Sequence, residues 1–290
     1  MNATGKHAAP AKKARPAAGR TAVKPAAAGP RTLPVSVIIL TKNEASNLPG
    51  CLASLGWASQ RVVVDSGSTD GTAEIARRLG AEVYVNPWPG FTAQRNFALA
   101  RCRQPWVLSV DADERVAPDL EEGLRVLLEG TPRYAGYRVR EVNEYMGRWL
   151  RYGGIYPGEH MIFFRREGAS YSSGNADVHE GVQVKRPGRL RGHLVHHAYP
   201  DLELALEKLN SYTSVEAAGR LRIGAKKVGW GDLLVRGPHT FLKNYLWKGG
   251  FRDGVQGLLY CVLTGYYTYF FHLKIWEQRR GGRNAPPAKA

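Results

Sequence analysis

The sequence predicts an α/β protein: a mostly parallel sheet flanked by helices, followed by a helical C-terminal extension. Three observations predict it. Short β-branched apolar runs alternate with helical patterns through residues 35–110, the signature of parallel strands joined by crossover helices. The polar clusters fall just after those runs, where parallel sheets bind ligands. Beyond residue 200 the chain reads as helix.

Residues 1–33 hold seven Lys/Arg, no acid, and only Val23 and Leu33 as branched apolar residues. Such a segment cannot bury enough surface to fold, and is expected as a disordered basic tail. It has no apolar stretch of the kind a secretory signal needs. Residues 34–200 are expected to form the α/β domain. Val35–Thr41 reads as a buried strand closed by Lys42, Asn43 and Glu44. Glu44–Leu55 reads as a helix with Leu48, Cys51, Leu52 and Leu55 on one face. Arg61–Asp65 is a second strand, running into Ser66-Gly-Ser-Thr-Asp-Gly71, a turn rich in capping residues. The helix after it is expected to turn Ile75, Ala76 and Leu79 inward. Ala81–Val85 is a third strand, Phe91–Ala100 a third helix and Trp106–Val110 a fourth strand.

The net charge is +16, and removing the first 33 residues still leaves 34 basic against 25 acidic ones. A basic body suits polyanions: nucleotide diphosphates, anionic lipid surfaces or nucleic acid. No Lys/Arg stripe interleaved with aromatics, zinc-finger spacing or RNP pattern is present, so nucleic acid is not an expected partner. The three cysteines are scattered; Cys51 and Cys102 fall in apolar helical patterns and read as buried thiols, suited to a reducing compartment.

The chemistry concentrates in Trp106-Val-Leu-Ser-Val-Asp-Ala-Asp-Glu114. On an extended chain Asp111 and Asp113 would point the same way. Two such carboxylates can hold a hard divalent cation with a phosphate on its other face. The bland alternative is a pair of solvated turn acids. Gly192-His-Leu-Val-His-His-Ala198 holds three histidines, with His193 and His197 on one strand face and His196 on the other. A zinc site there lacks a Cys or acid to complete it.

Val-Ser-Val-Ile-Ile-Leu-Thr-Lys-Asn-Glu44, Val-Val-Val-Asp-Ser-Gly-Ser-Thr-Asp-Gly-Thr72, Gln94-Arg-Asn96 and Ser-Val-Asp-Ala-Asp-Glu114 occur in that order. Together they resemble the family 2 glycosyltransferases of GT-A fold. Pro157-Gly-Glu-His-Met-Ile-Phe-Phe-Arg-Arg166 and Val178-His-Glu-Gly-Val182 resemble the subgroup with the lipopolysaccharide core β-glucosyltransferases. The resemblance covers residues 35–200. It implies that Thr41, Asn43 and Glu44 line a nucleoside pocket and that Asp65 reads the base, usually uracil. The alternative for Asp65 is a helix N-cap, a post that suits Asp70 better. Arg95 is implied to face the nucleotide or its diphosphate, where a fork of fixed donors suits phosphate; otherwise it is a surface helix arginine. Asp111 and Asp113 would hold Mg²⁺ or Mn²⁺, with Asp113 the more direct ligand and His196 a further contact to the metal or diphosphate. An acceptor hydroxyl needs a base on the far side from the diphosphate. Glu180, after a Gly/Ser-rich loop, is the candidate and Asp177 the reserve; a plain turn acid is the alternative. The aromatics of residues 133–165 suit an acceptor sugar or, equally, a sheet extension with an aromatic core.

Residues 201–280 are expected to form a helical, membrane-associating region, with a disordered tail after them. Gly254–Leu273 has no Asp, Glu, Lys or Arg, long enough to span a bilayer. Yet Gln256, Tyr260, Thr264, Thr268 and His272 recur every four residues as a polar stripe, and bases flank the segment. That pattern favours a helix lying in the interface of an anionic inner leaflet. A true span is the second reading, and a helix packed on the catalytic domain or a dimer partner the third.

The expected function is therefore an inverting, metal-dependent transfer of a hexose, glucose first, from a UDP-sugar to a lipid-anchored glycan such as lipopolysaccharide inner core. It would act from the cytoplasmic side, on the inner face of the cell membrane. The alternatives are a polyprenyl-phosphate glycosyltransferase and a non-catalytic sugar-nucleotide or membrane-binding protein.

Overall fold

The computed structural model describes residues 32–172, 181–222, 224 and 228–281. Its first half follows the alternating pattern: β1 (Leu33–Thr41), α1 (Leu48–Ala53), β2 (Ala58–Asp65), α2 (Thr72–Arg78), β3 (Glu82–Val85), α3 (Phe91–Leu99) and β4 (Trp106–Asp111). These four strands are mutually parallel in the order β3-β2-β1-β4. Ile38 lies across from Val62 on one side and Ser109 on the other. Both sheet faces are covered. Val37 and Ile39 pack with Leu48, Leu52 and Leu108, whereas Ile38 packs with Val62, Val64 and Ala98. Burial on both faces is why these strands read as unbroken apolar runs. Each such side chain contributes about 1.5–3 kcal/mol.

The second half is not parallel throughout. It runs β5 (Glu114–Val116), α4 (Pro118–Glu129), β6 (Gly136–Tyr145), β7 (Arg148–Trp149), β8 (Gly158–Arg165), the short hairpin strands β9 (Tyr171–Ser172) and β10 (Gly181–Val182), and β11 (Gly188–Tyr199). β8 lies antiparallel to both β4 and β6, β11 runs parallel to β6, and β5 lies antiparallel to β11 at the far edge. The expectation of a mostly parallel sheet thus holds for β3-β2-β1-β4, while the remainder is mixed. The segment between β6 and β8 contains no helix to serve as a parallel crossover, so those strands return antiparallel.

Helix α2 is rotated from the face expected for it. Thr72, Ala73 and Ala76 point inward and Leu79 is exposed. Asp70 decides this by holding the Thr72 hydroxyl, which also accepts from the Glu44 N–H. The cysteines Cys51, Cys102 and Cys261 are buried free thiols.

The C-terminal helices are α5 (Leu202–Arg222), α6 (Trp230–Leu234), α7 (Arg236–Leu242) and α8 (Gly254–Gly281), with a π-helical turn at Lys243–Trp247 and a 3-10 turn at Gly250–Asp253. Part of the α8 polar stripe is engaged by protein. Tyr260 packs edge-on against Tyr145, Thr264 accepts from Asn244, and the hydroxyls of Thr264 and Thr268 donate to carbonyls one turn back. Lys274 donates to Asn210, Thr213 and Ser214 of α5, and Tyr267 donates to Glu216. Of the stripe residues, Tyr260 and Thr264 thus face protein, while the hydroxyls of Thr264 and Thr268 are satisfied within the helix itself. Among the described residues no helix is long and apolar enough to cross a membrane.

Candidate active site

The loops after β1 and β2 form one stitched unit. Asp65, 1% exposed, accepts from the Thr41 hydroxyl at 3.1 Å, from the Gly67 and Ser68 N–H groups at 3.0 and 2.8 Å, and from the Ser68 hydroxyl. Asn43, held in the left-handed region at φ 56°, donates its N–H to Ser68 and accepts from the Thr69 N–H. Asn tolerates that conformation better than most residues. Asp70 accepts from the N–H groups of Ala45 and Thr72; the N-cap of α2 is the next residue, Gly71, in the left-handed region. Thr41, Asn43, Glu44 and Asp65 thus come together at the strand ends. Asp65 serves here as the organiser of the turn, with four donors on its two oxygens.

Arg95 reaches from α3 to the tip of β4. Its guanidinium donates to Ser109 Oγ and, at 3.3 Å, to Asp111 Oδ1, and lies 5.8 Å from the Tyr171 ring centre. It is not a surface arginine: its side chain is only 17% exposed. Asn96, next to it, clamps the backbone of Tyr171 with two bonds of 2.9 Å. Tyr171 opens the β9–β10 hairpin, in which Ser172 pairs with Gly181. Asp177 and Glu180 lie outside the described residues.

Asp111 and Asp113 do not share a direction by strand alternation. β4 ends at Asp111, and Ala112–Asp113 form a turn into β5. The Asp111 N–H donates to Glu114, and the Asp113 carbonyl accepts from the His197 N–H. The turn sends Asp111 toward Arg95 and Asp113 toward β11 and α5. There, Asp113 Oδ2 meets His196 Nε2 and Lys208 Nζ, each at 3.3 Å. Burial would raise the Asp113 carboxyl, but His196 and Lys208 outweigh it and bring it down to about 2. Glu44, across from both aspartates, is pushed up, first by burial and further by their charge. Among the described residues, Asp111 Oδ2 and Asp113 Oδ1 take no hydrogen bond, so each aspartate keeps one oxygen for a cation. Carboxylate oxygens are the donors Mg²⁺ and Mn²⁺ prefer, so each aspartate offers a donor suited to such an ion.

Behind Asp113 stands a row of groups the sequence did not announce. His196 Nδ1 contacts Glu141 Oε1 at 2.9 Å, and Glu141 Oε2 contacts His160 at 2.7 Å. Burial alone would raise Glu141; the two histidines hold it well below the ordinary carboxylate range. Burial alone would lower His196; Asp113 and Glu141 hold it well above the ordinary imidazole range. With both ring nitrogens donating, His196 carries charge and steadies Asp113. Ligand atoms of Glu114, Glu141 and His196 lie within 4.8 Å of one another. Glu114 itself is pushed well up by burial and by Asp111. The three histidines do not converge on a zinc site. His193 pairs with Asp119, His196 with Glu141 and Asp113, and His197 with Glu144.

Sequence reading missed Glu141, His160 and Lys208. The available signal was an acid at an inward position of a strand, since Glu141 shares the alternation of Val139 and is 8% exposed. On the aromatic segment, Trp149 lies 5.6 Å from Tyr156 and 6.0 Å from His193, with Arg151 stacked on its face. The Trp149 indole N–H is buried with no partner among the described residues.

These strand-end loops and acids fall within or beside residues 36–184, which match the model of Glycosyl transferase family 2. The chain is 30% identical over 253 residues to the lipopolysaccharide core biosynthesis glycosyltransferase LpsC of Rhizobium meliloti, covering 85% of this chain and 93% of that protein. It is 27% identical to an uncharacterized glycosyltransferase of Rickettsia typhi, over 86% of this chain and 89% of that one. Among solved structures, glucosyl-3-phosphoglycerate synthase of Mycobacterium tuberculosis, with Mn²⁺ and UDP, is 26% identical over 39% of this chain and 44% of that one, at a TM-score of 0.32. S. aureus TarS 1–349 covers 88% of this chain and 95% of its own at 15% identity and a TM-score of 0.38. Assignment rests on the sequence matches: with half the chain inside the family model and a 30% identical relative aligned over nearly its whole length, this protein belongs to glycosyl transferase family 2 and is a glycosyltransferase.

Proposed function

We propose that the enzyme moves a hexose, in the first instance glucose, from a UDP-sugar to a hydroxyl of a lipid-anchored glycan such as lipopolysaccharide inner core. We place this on the inner face of the cell membrane. The observation that carries the reading is the divergent acid pair: Asp111 held by Arg95, Asp113 held by His196 and Lys208, each with one oxygen to spare. Asp111 and Asp113 would hold Mg²⁺ or Mn²⁺, which, when bound, neutralises charge growing on the departing diphosphate. Arg95 adds a fork of donors beside it. Thr41, Asn43 and Glu44 line the nucleoside side, with Asp65 available to the base if its loop re-forms around a nucleotide. His196 backs Asp113. Glu180, or Asp177 in its place, takes the acceptor's proton as the new glycosidic bond forms and the anomeric bond to the diphosphate breaks, a single in-line displacement with inversion. The unpaired indole N–H of Trp149, among Tyr156, Arg151 and His193, supports an acceptor-sugar role for that segment. The lipopolysaccharide-core relative supports the acceptor class.

The test is calorimetry of UDP-, GDP-, ADP- and CMP-sugars with and without Mn²⁺, in wild type and Asp113→Ala. Metal-dependent binding of UDP-sugars that Asp113→Ala abolishes is the expected outcome. Absence of nucleotide binding under every condition would sink the reading. Glu180→Gln should retain donor binding and lose transfer; full turnover in that variant would point to a phosphate acceptor that needs no base.

A further inference from the structure

Away from the polar stripe of α8, the C-terminal helices expose a further surface. On α8, Val255, Leu258 and Tyr266 are exposed at helical spacing, and Val255 is 69% exposed. Between α7 and α8 lies an open groove of about 400 Å³, its wall formed by Pro238, Phe241, Val262 and Tyr266. Trp247, at the end of the π-helical turn, is 85% exposed, and Trp230, at the start of α6, is 79% exposed. Two tryptophans left this open cost hydration energy that a folded chain normally recovers by burying them.

Charge says what covers this face. Arg236, Lys243, Lys248 and Arg252 of the same segment are exposed, Arg236 paired with Asp232 and Arg252 lying 5.0 Å from the Tyr152 ring centre. Both acids of residues 230–253 are already engaged. Asp232 accepts from Gly229 and Arg236, and buried Asp253 accepts from the N–H groups of Arg151 and Tyr152 at 2.8 Å each. A second copy of this chain would set like charges against one another. An anionic lipid surface complements them, and apolar side chains between aromatic and basic neighbours suit the headgroup boundary. The same face is fastened to the aromatic segment: Asp253 caps residues 151 and 152, and the Gly153 N–H donates to the Lys248 carbonyl at 2.9 Å.

We propose that the outward face of α6–α8 docks in the plane of an anionic bilayer, seating Trp230 and Trp247 at the headgroup boundary and bringing the Trp149–Tyr156 segment to the level of lipid-linked sugar. This deepens the membrane reading above and rests on it, but not on the donor or the metal.

The experiment is flotation of the full chain with vesicles of phosphatidylcholine alone or mixed with phosphatidylglycerol, for wild type and Trp230→Ser/Trp247→Ser. Wild type is expected to float with the mixed vesicles. The double variant should bind them roughly a hundredfold more weakly, about tenfold for each indole withdrawn. Its melting temperature and its Mn²⁺-dependent UDP-sugar binding should be unchanged, so failure of the docking surface is distinguishable from failure of the transferase reading. Equal flotation of the double variant would overturn the proposal and move attachment elsewhere, the basic N-terminal segment included. So would a wild type that binds neither vesicle, or one that forms a dimer which the two substitutions dissolve without affecting flotation.

Discussion

His196 Nε2 lies 3.3 Å from Asp113 Oδ2, while the other nitrogen of the same ring lies 2.9 Å from Glu141 Oε1. The contacts continue on both sides, to His160 beyond Glu141 and to Lys208 beyond Asp113. Charges alternate along the row, so each group stabilises its neighbours in the ionised form despite burial. The consequence is a fixed, ionised Asp113.

Glu141→Gln tests whether that row serves the metal. It removes the charge that holds His196 without touching Asp113. Mn²⁺ affinity, read by calorimetry, is expected to fall about tenfold to a hundredfold, the usual cost of losing a group that orients a ligand. An unchanged affinity in a variant that melts normally would show that the row is structural only.

Acid stability should report Asp113 directly. Its carboxyl is brought from 3.8 to about 2 in the folded state. A lowered pKa contributes stability that is complete above the unfolded value and disappears as pH falls through the folded one. The window is therefore pH 4 down to pH 2, and the contribution is about 2 kcal/mol. Denaturant unfolding of Asp113→Asn should show a correspondingly shallower loss across that window. Parallel pH profiles for variant and wild type would contradict the assignment.

Gly192 sets the entry of the histidine strand. Its φ is +109°, and an added Cβ would meet the Leu120 backbone at 2.3 Å. Both the backbone conformation and the contact with α4 reject a side chain. Gly192→Ala is expected to cost about 2–5 kcal/mol, seen as a fall in melting temperature. Gly56→Ala, where nothing lies within 4 Å, is the control and should melt like wild type. Equal melting of the two variants would refute the steric account.

The parallel half of the fold was legible in the chain because buried parallel strands leave unbroken apolar runs, as in Val35–Thr41 and Trp106–Val110. The polar clusters at their ends were legible for the same reason, since they mark where each run stops. Thr41 bonds Asp65, Asn43 bonds Ser68 and Thr69 in the turn that follows Asp65, Glu44 bonds Thr72, and Arg95 reaches Asp111. The mixed half was not legible. β6 alternates buried and exposed residues only over Tyr137–Glu141, β8 buries only the adjacent Phe163 and Phe164, and such patterns do not say which strand lies next to which.

What the sequence by itself determined was local: element type, the strand-end acids, and the presence of bases and aromatics near the C-terminus. Tertiary structure decided the partners. The turn at Ala112–Asp113 parted two acids that a straight strand would have aligned. A residue 83 positions away, His196, became the partner of Asp113, and Lys208 joined it from 95 positions away. On α8, Tyr260 of the polar stripe packs on β6, and Tyr267 and Lys274 beside it bond α5. The physical reason is common to all three: a buried polar group goes where it can be paired, and those pairs are made across the fold, beyond the reach of any local pattern.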